Sequence, residues 1–120
     1  MSLGEEFARA VAGKDRAALV SLLADDVDFK GLTPGRLWEA SDAAGVAAIF
    51  FDTWFGPDDE IVGLLGTYAG EAVADTDHAS YRLDVSSGDG AHVVEQQIYF
   101  RAVDGRIGHL RLLCSGYRPQ

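Results

Sequence analysis

Apolar and polar positions repeat with two different periods along this chain, and the change falls near Glu60. In the first half, Phe7, Ala10 and Val11 recur at spacings of three and four, which predicts a helix over Leu3–Ala12. Ser2 and Glu5 have the spacing of a capping box at its start, and Gly13 fits its stop. Asp15 can cap a second helix over Arg16–Leu23, with Leu19, Leu22 and Leu23 as its buried stripe. Val27 and Phe29 then alternate with Asp28 and Lys30, the pattern of a half-buried strand. Gly31–Ala40, with Pro34 and Gly35, reads as a loop. Ser41 or Asp42 caps a third helix running to Phe55, where Gly56 and Pro57 stop it. Val46, Ile49, Phe50, Phe51, Trp54 and Phe55 make that helix apolar around most of its circumference, so it must be covered on several sides.

From Glu60 the period becomes two. Strands are predicted over Ile61–Val73, Ala79–Val85, His92–Val103 and Arg106–Cys114. Asp75–Asp77, Ser87–Gly90 and Asp104–Gly105 supply the turns between them. Helices gathered on one face of an antiparallel sheet make an α+β fold. On the third of these strands the even set, Val94, Gln96, Ile98 and Phe100, is the more apolar and should face the core. Tyr81, Leu83 and Val85 should do the same on the second, and Leu110, Leu112 and Cys114 on the last. The last assignment needs a three-residue turn at Val103–Gly105; a slip of one residue would place His109 and Arg111 inside instead.

Composition narrows the partners. Nineteen Asp and Glu against ten Lys and Arg give a formal charge of −9 over 120 residues. Such a field repels phosphate backbones and anionic lipid, so neither nucleic acid nor a membrane is an expected partner. No apolar run approaches the ~20 residues needed to span a bilayer, and Met1–Glu6 lacks the basic and apolar regions of a signal peptide. The only cysteine is Cys114, which rules out an internal disulfide and fits a reducing, cytoplasmic setting. His78, His92 and His109 do not share ligand spacing, so no metal and no cofactor are predicted. The length suits one domain over residues 1–120.

Several local patterns, taken in order, resemble the nuclear-transport-factor-2-like superfamily, the fold of ketosteroid isomerases and SnoaL-type polyketide cyclases. Gly13-Lys14-Asp15 resembles its connection between the first two helices. Leu23-Ala24-Asp25-Asp26-Val27-Asp28-Phe29 resembles its helix-to-strand junction. Asp104-Gly105-Arg106-Ile107 followed by Leu110-Arg111-Leu112 resembles its last hairpin. The resemblance spans about residues 5–116. It implies a cone-shaped α+β barrel, a curved, mostly antiparallel sheet wrapped around the long third helix, with room for a small apolar ligand and a tendency to dimerise. It does not carry over the isomerase chemistry. The positions of the family's tyrosine, base and oxyanion acid fall at Phe7, Gly31 and Ile98, none of which can donate or accept a proton.

The functional expectation is therefore a SnoaL-like pocket for a small apolar molecule, with any catalysis being acid/base work by Gln96, Tyr81 or a nearby water. Its candidate ligand-binding residues are Trp38, Trp54, Tyr68, Tyr81, Gln96 and Cys114. Gln96 could orient a ligand or satisfy a buried backbone group, and Cys114 could be a nucleophile or a small apolar filler. A non-catalytic dimeric module with a filled cone is the alternative. A third option rests on Arg82-Leu83-Asp84, which resembles a strand motif of limonene epoxide hydrolases and would need Arg82 and Asp84 inside the cavity; alternation puts both outside. Glu95, Gln97, Tyr99, Arg101, His109 and Arg111 would form the outer sheet face, a plausible surface for a homodimer.

Overall fold

The computed structural model describes residues 1–120. Ser2 accepts a hydrogen bond from the Glu5 N–H at 3.2 Å and opens α1 (Leu3–Ala12). Asp15 accepts from the Ala18 N–H at 3.0 Å and opens α2 (Arg16–Leu22). Asp42 does the same for Gly45 at 2.6 Å and opens α3 (Ala43–Ala48). Each of these caps satisfies an amide that the helix itself leaves unpaired.

The third helix departs from the sequence reading after Ala48. Residues Ile49–Trp54 continue it as a π-helix, closed by the Phe55 N–H donating to the Phe50 carbonyl at 2.7 Å. This wider turn keeps Phe50 and Phe51 buried and sets the Phe50 and Trp54 rings edge to face at 4.9 Å.

The strands are β1 (Leu23–Thr33), β2 (Arg36–Ala40), β3 (Glu60–Ala69), β4 (Asp77–Ser87), β5 (Gly90–Val103), β6 (Arg106–Cys114) and the short β7 (Arg118–Pro119). Their order is β2-β1-β6-β5-β4-β3, with β7 on β5. Only β1 and β6 run parallel. The sheet is curved and unclosed, with β2 and β3 as its edges.

Three differences from the sequence reading have physical causes. Gly31–Ala40 is a hairpin rather than a loop: β1 runs on to Thr33 and β2 returns from Arg36, paired Gly31 to Trp38 and Thr33 to Arg36. Gly31 interrupts the apolar alternation there and hid the strand. β3 ends at Ala69, short of Val73, whose only sheet-like partner is Thr76. The last hairpin turns on two residues, Asp104 and Gly105, both with positive φ (54° and 80°), not on three. A bulge beyond Arg101 then restores the register that pairs Phe100 with Leu110, Ile98 with Leu112 and Gln96 with Cys114. The even sets are inside, by turn plus bulge rather than by a longer turn.

One core of 25 buried residues fills the space between helices and sheet. Phe7 of α1 sits at its centre, 5.7 Å from Phe50 and 6.2 Å from Tyr81, ring to ring. Burying this apolar area is the dominant stabilising term.

Candidate functional site

Three adjacent strands place a row of polar side chains on the inner face, because Tyr81 pairs with Gln96 and Gln96 with Cys114. The Tyr81 hydroxyl donates to Gln96 Oε1 at 2.5 Å, and Gln96 Nε2 donates to Cys114 Sγ at 3.4 Å. The same sulfur accepts from the Gly116 N–H at 3.4 Å. The row is closed on itself, with each member finding its partner in the next. Burial, with the Cys114 thiol adding a smaller contribution, pushes the Tyr81 phenol well above the ordinary tyrosine range. A phenol held protonated and an amide that does not titrate offer no general base at neutral pH.

Gln96 is 0% exposed and Tyr81 2%, so the row is almost wholly buried. Phe7, Gly31 and Ile98, where the isomerase roles would fall, are all buried.

The cone's mouth is different. In the β1–β2 hairpin, Phe29, Gly31 and Thr33 share the inner face with Ala40, Trp38 and Arg36, their register partners. A Cβ on Gly31 would lie 2.9 Å from Phe29 Cζ and 3.1 Å from Trp54 Cη2, so glycine here makes room for the Trp54 ring. Trp38 meets Trp54 edge to face at 5.9 Å, and the Arg36 guanidinium lies over the Trp38 ring at 3.6 Å. Trp38 Nε1 donates to Thr33 Oγ1 at 2.9 Å. Trp54 Nε1 is buried and has no partner; it is the only side-chain nitrogen or oxygen in the protein in that condition.

The C-terminal segment closes the other side of the mouth. Tyr117 stacks on Phe55, and its hydroxyl sits 2.7 Å from the Trp54 carbonyl and 2.9 Å from Asp59 Oδ2, both acceptors. Burial and then the Asp59 carboxylate push this phenol up. Pro34 of the hairpin turn packs against Gly116.

Trp38, Trp54, Tyr81, Gln96 and Cys114 thus fall into two groups: a closed polar row on the inner sheet face and an aromatic cluster between the β1–β2 hairpin and the π-helical turn. Tyr68 joins neither. It is 67% exposed on the edge strand β3 and borders an open groove on the outside of the sheet with Leu65, Arg82 and Glu95. The expectation that it lines the inner wall fails because β3 leaves the core beyond Leu64. Arg82 and Asp84 also lie off the inner face. Arg82 pairs with Glu95 at 3.1 Å across the β4–β5 ladder, and Asp84 accepts from Gln120 Nε2 at 2.7 Å. His109 and Arg111 are on the outer face too, where Arg111 donates to Asp28 Oδ1 at 3.3 Å. No three His, Cys, Asp or Glu side chains gather as a metal-binding cluster. Sequence reasoning missed Arg36 and Tyr117. Pro34-Gly35 flanked by alternating residues was the available signal for the first; nothing local marks the second.

No family model and no curated protein matches the sequence. Solved structures do match in shape. A candidate isomerase from Bacillus subtilis superposes with a TM-score of 0.75 at 14% identity, covering 96% of this chain and 90% of that one. A candidate SnoaL-like polyketide cyclase from Mesorhizobium loti gives 0.68 at 14% identity, over 93% and 98% of the two chains. An LEH-like epoxide hydrolase from M. tuberculosis gives 0.66 at 15% identity, over 94% and 80%. At these identities the likeness is one of fold: the chain adopts the nuclear-transport-factor-2-like cone shared by SnoaL-like cyclases and ketosteroid-isomerase-like proteins.

Proposed function

We propose that this chain is a binding module for a small apolar molecule, held at the mouth of the cone between Trp38 and Trp54, and that it is not an acid/base catalyst of the isomerase type. One observation carries the reading: the deep polar row satisfies itself, while Trp54 Nε1 alone is buried without an acceptor. An unpaired buried donor costs about 1–3 kcal/mol, which an oxygen on a bound molecule would recover. The aromatic faces of Trp38, Trp54 and Phe29 supply the apolar contact, and Tyr81, Gln96 and Cys114 form the floor rather than the site. The epoxide-hydrolase alternative gains no support from Arg82 and Asp84, which point away from the interior.

The test is a thermal-shift and tryptophan-fluorescence screen of cyclic apolar molecules with and without a carbonyl or ether oxygen. A ligand at a hundredfold excess over its Kd should add ~2.7 kcal/mol of stability. Trp54→Phe should weaken it, and Tyr81→Phe should not. A ligand whose affinity depends on Tyr81 and Gln96 but not on Trp54 would overturn this placement.

We also propose a homodimer through the outer sheet face. Leu32 and Leu113 are register neighbours there, 48% and 53% exposed, a small apolar strip among charges.

A further inference from the structure

This inference rests on the binding reading above and adds the charge class of the ligand. The chain is acidic, and its cations are almost all neutralised. Arg9, Arg16, Lys30, Arg82, Arg101, Arg106 and Arg111 each lie within 4.0 Å of a carboxylate. Lys14 is held by the carbonyl oxygens of Gly56 and Asp59. That leaves Arg36 and Arg118. Arg118 is in the C-terminal segment, paired along β7 with Val93. Arg36 stands beside the hairpin turn, on the inner face, two register steps from Trp38.

The guanidinium carbon of Arg36 lies 3.6 Å from the centroid of the Trp38 ring. The N–H groups of this guanidinium make no hydrogen bond or ion pair within the protein. That planar fork matches a carboxylate in two-point geometry. Beside it lies Trp54, whose buried Nε1–H has no acceptor. An unpaired cation, two aromatic rings in contact and a buried, unpaired donor therefore lie together along the β1–β2 hairpin and the π-helical turn. The formal charge of −9 selects against ligands of higher negative charge, so a single carboxylate fits better than a phosphate ester.

We propose that the ligand is an apolar monocarboxylate, a cyclic or aromatic acid whose carboxylate pairs with Arg36 and whose ring lies against Trp38 and Trp54. The experiment titrates the intact protein with 1-naphthoate, 1-naphthamide and 1-naphthalenemethanol, followed by tryptophan fluorescence and calorimetry. The acid should bind about tenfold or more tighter than the amide and the alcohol. Arg36→Gln should abolish that preference, Arg36→Lys should retain part of it, and Arg118→Gln should leave it unchanged. Equal binding of all three probes, or a preference that survives Arg36→Gln, overturns the carboxylate assignment while leaving the binding reading intact. Failure of all three to bind, together with failure of the wider apolar screen, overturns both.

Discussion

Tyr81 shows how one hydroxyl is committed to structure. Its proton goes to Gln96 Oε1 with no solvent nearby, so Tyr81→Phe leaves that oxygen buried and unpaired. The variant should lose about 1–3 kcal/mol in urea unfolding at neutral pH. The alkaline limb has a definite sign. The folded phenol titrates above its unfolded value of 10.0, so its contribution is complete below pH 10 and is lost as pH rises toward the folded value. Tyr81→Phe should lack that part of the alkaline decline. The inward facing of Tyr81, Gln96 and Cys114 was legible from period-two alternation alone. Their mutual hydrogen bonds were not, because cross-strand pairing depends on register that the sequence only constrains. Arg36 and the unpaired Trp54 donor were hidden for another reason: a lone Arg and a lone Trp carry no periodicity.

At the scale of elements, the last hairpin fixes which faces the two strands it joins, β5 and β6, present to the core. Its turn needs left-handed backbone at both Asp104 and Gly105. Gly105→Val puts a β-branched residue where only glycine is unstrained, and should cost about 1–3 kcal/mol, seen as a lower Tm. The Asp-Gly pair is a strong turn signal and was read as one. The bulge that follows was not, although its extra residue, Gly108, is a lone glycine within a strand pattern and could have marked it. The π-helical segment left no such signal. Ile49–Trp54 reads as ordinary helix in hydrophobic pattern, yet its wider turn decides where Trp54 comes to rest. The β1–β2 hairpin was misread because Gly31 sits where the alternation calls for an apolar side chain, and that gap is what admits the indole.

Across the whole molecule, outer-face electrostatics set the acid response. Partial burial, followed by Arg111 and Arg101, holds the His109 imidazole below its ordinary value of 6.5. The unfolded chain thus takes up this proton first, and stability present above pH 6.5 declines as pH falls toward the folded value. His109→Gln should flatten that part of the curve in denaturation series between about pH 7 and 5. Asp28 has the same sign at lower pH. The Arg111 hydrogen bond holds its carboxyl below 3.8, so its contribution is lost only in stronger acid and should survive in the His109 variant. The outer face also bears the proposed dimer contact. Leu113→Arg should shift the protein from dimer to monomer in analytical ultracentrifugation, and an unchanged sedimentation coefficient would remove that surface from consideration. No helix is long and apolar enough to cross a membrane. The open sheet leaves β2 tied along one side only, to β1, while the helical wall opposite is anchored through Tyr117 to both Trp54 and Asp59. An edge strand bonded on one side lacks the second ladder that holds its neighbours, so amide exchange along β2 should outpace that along β1.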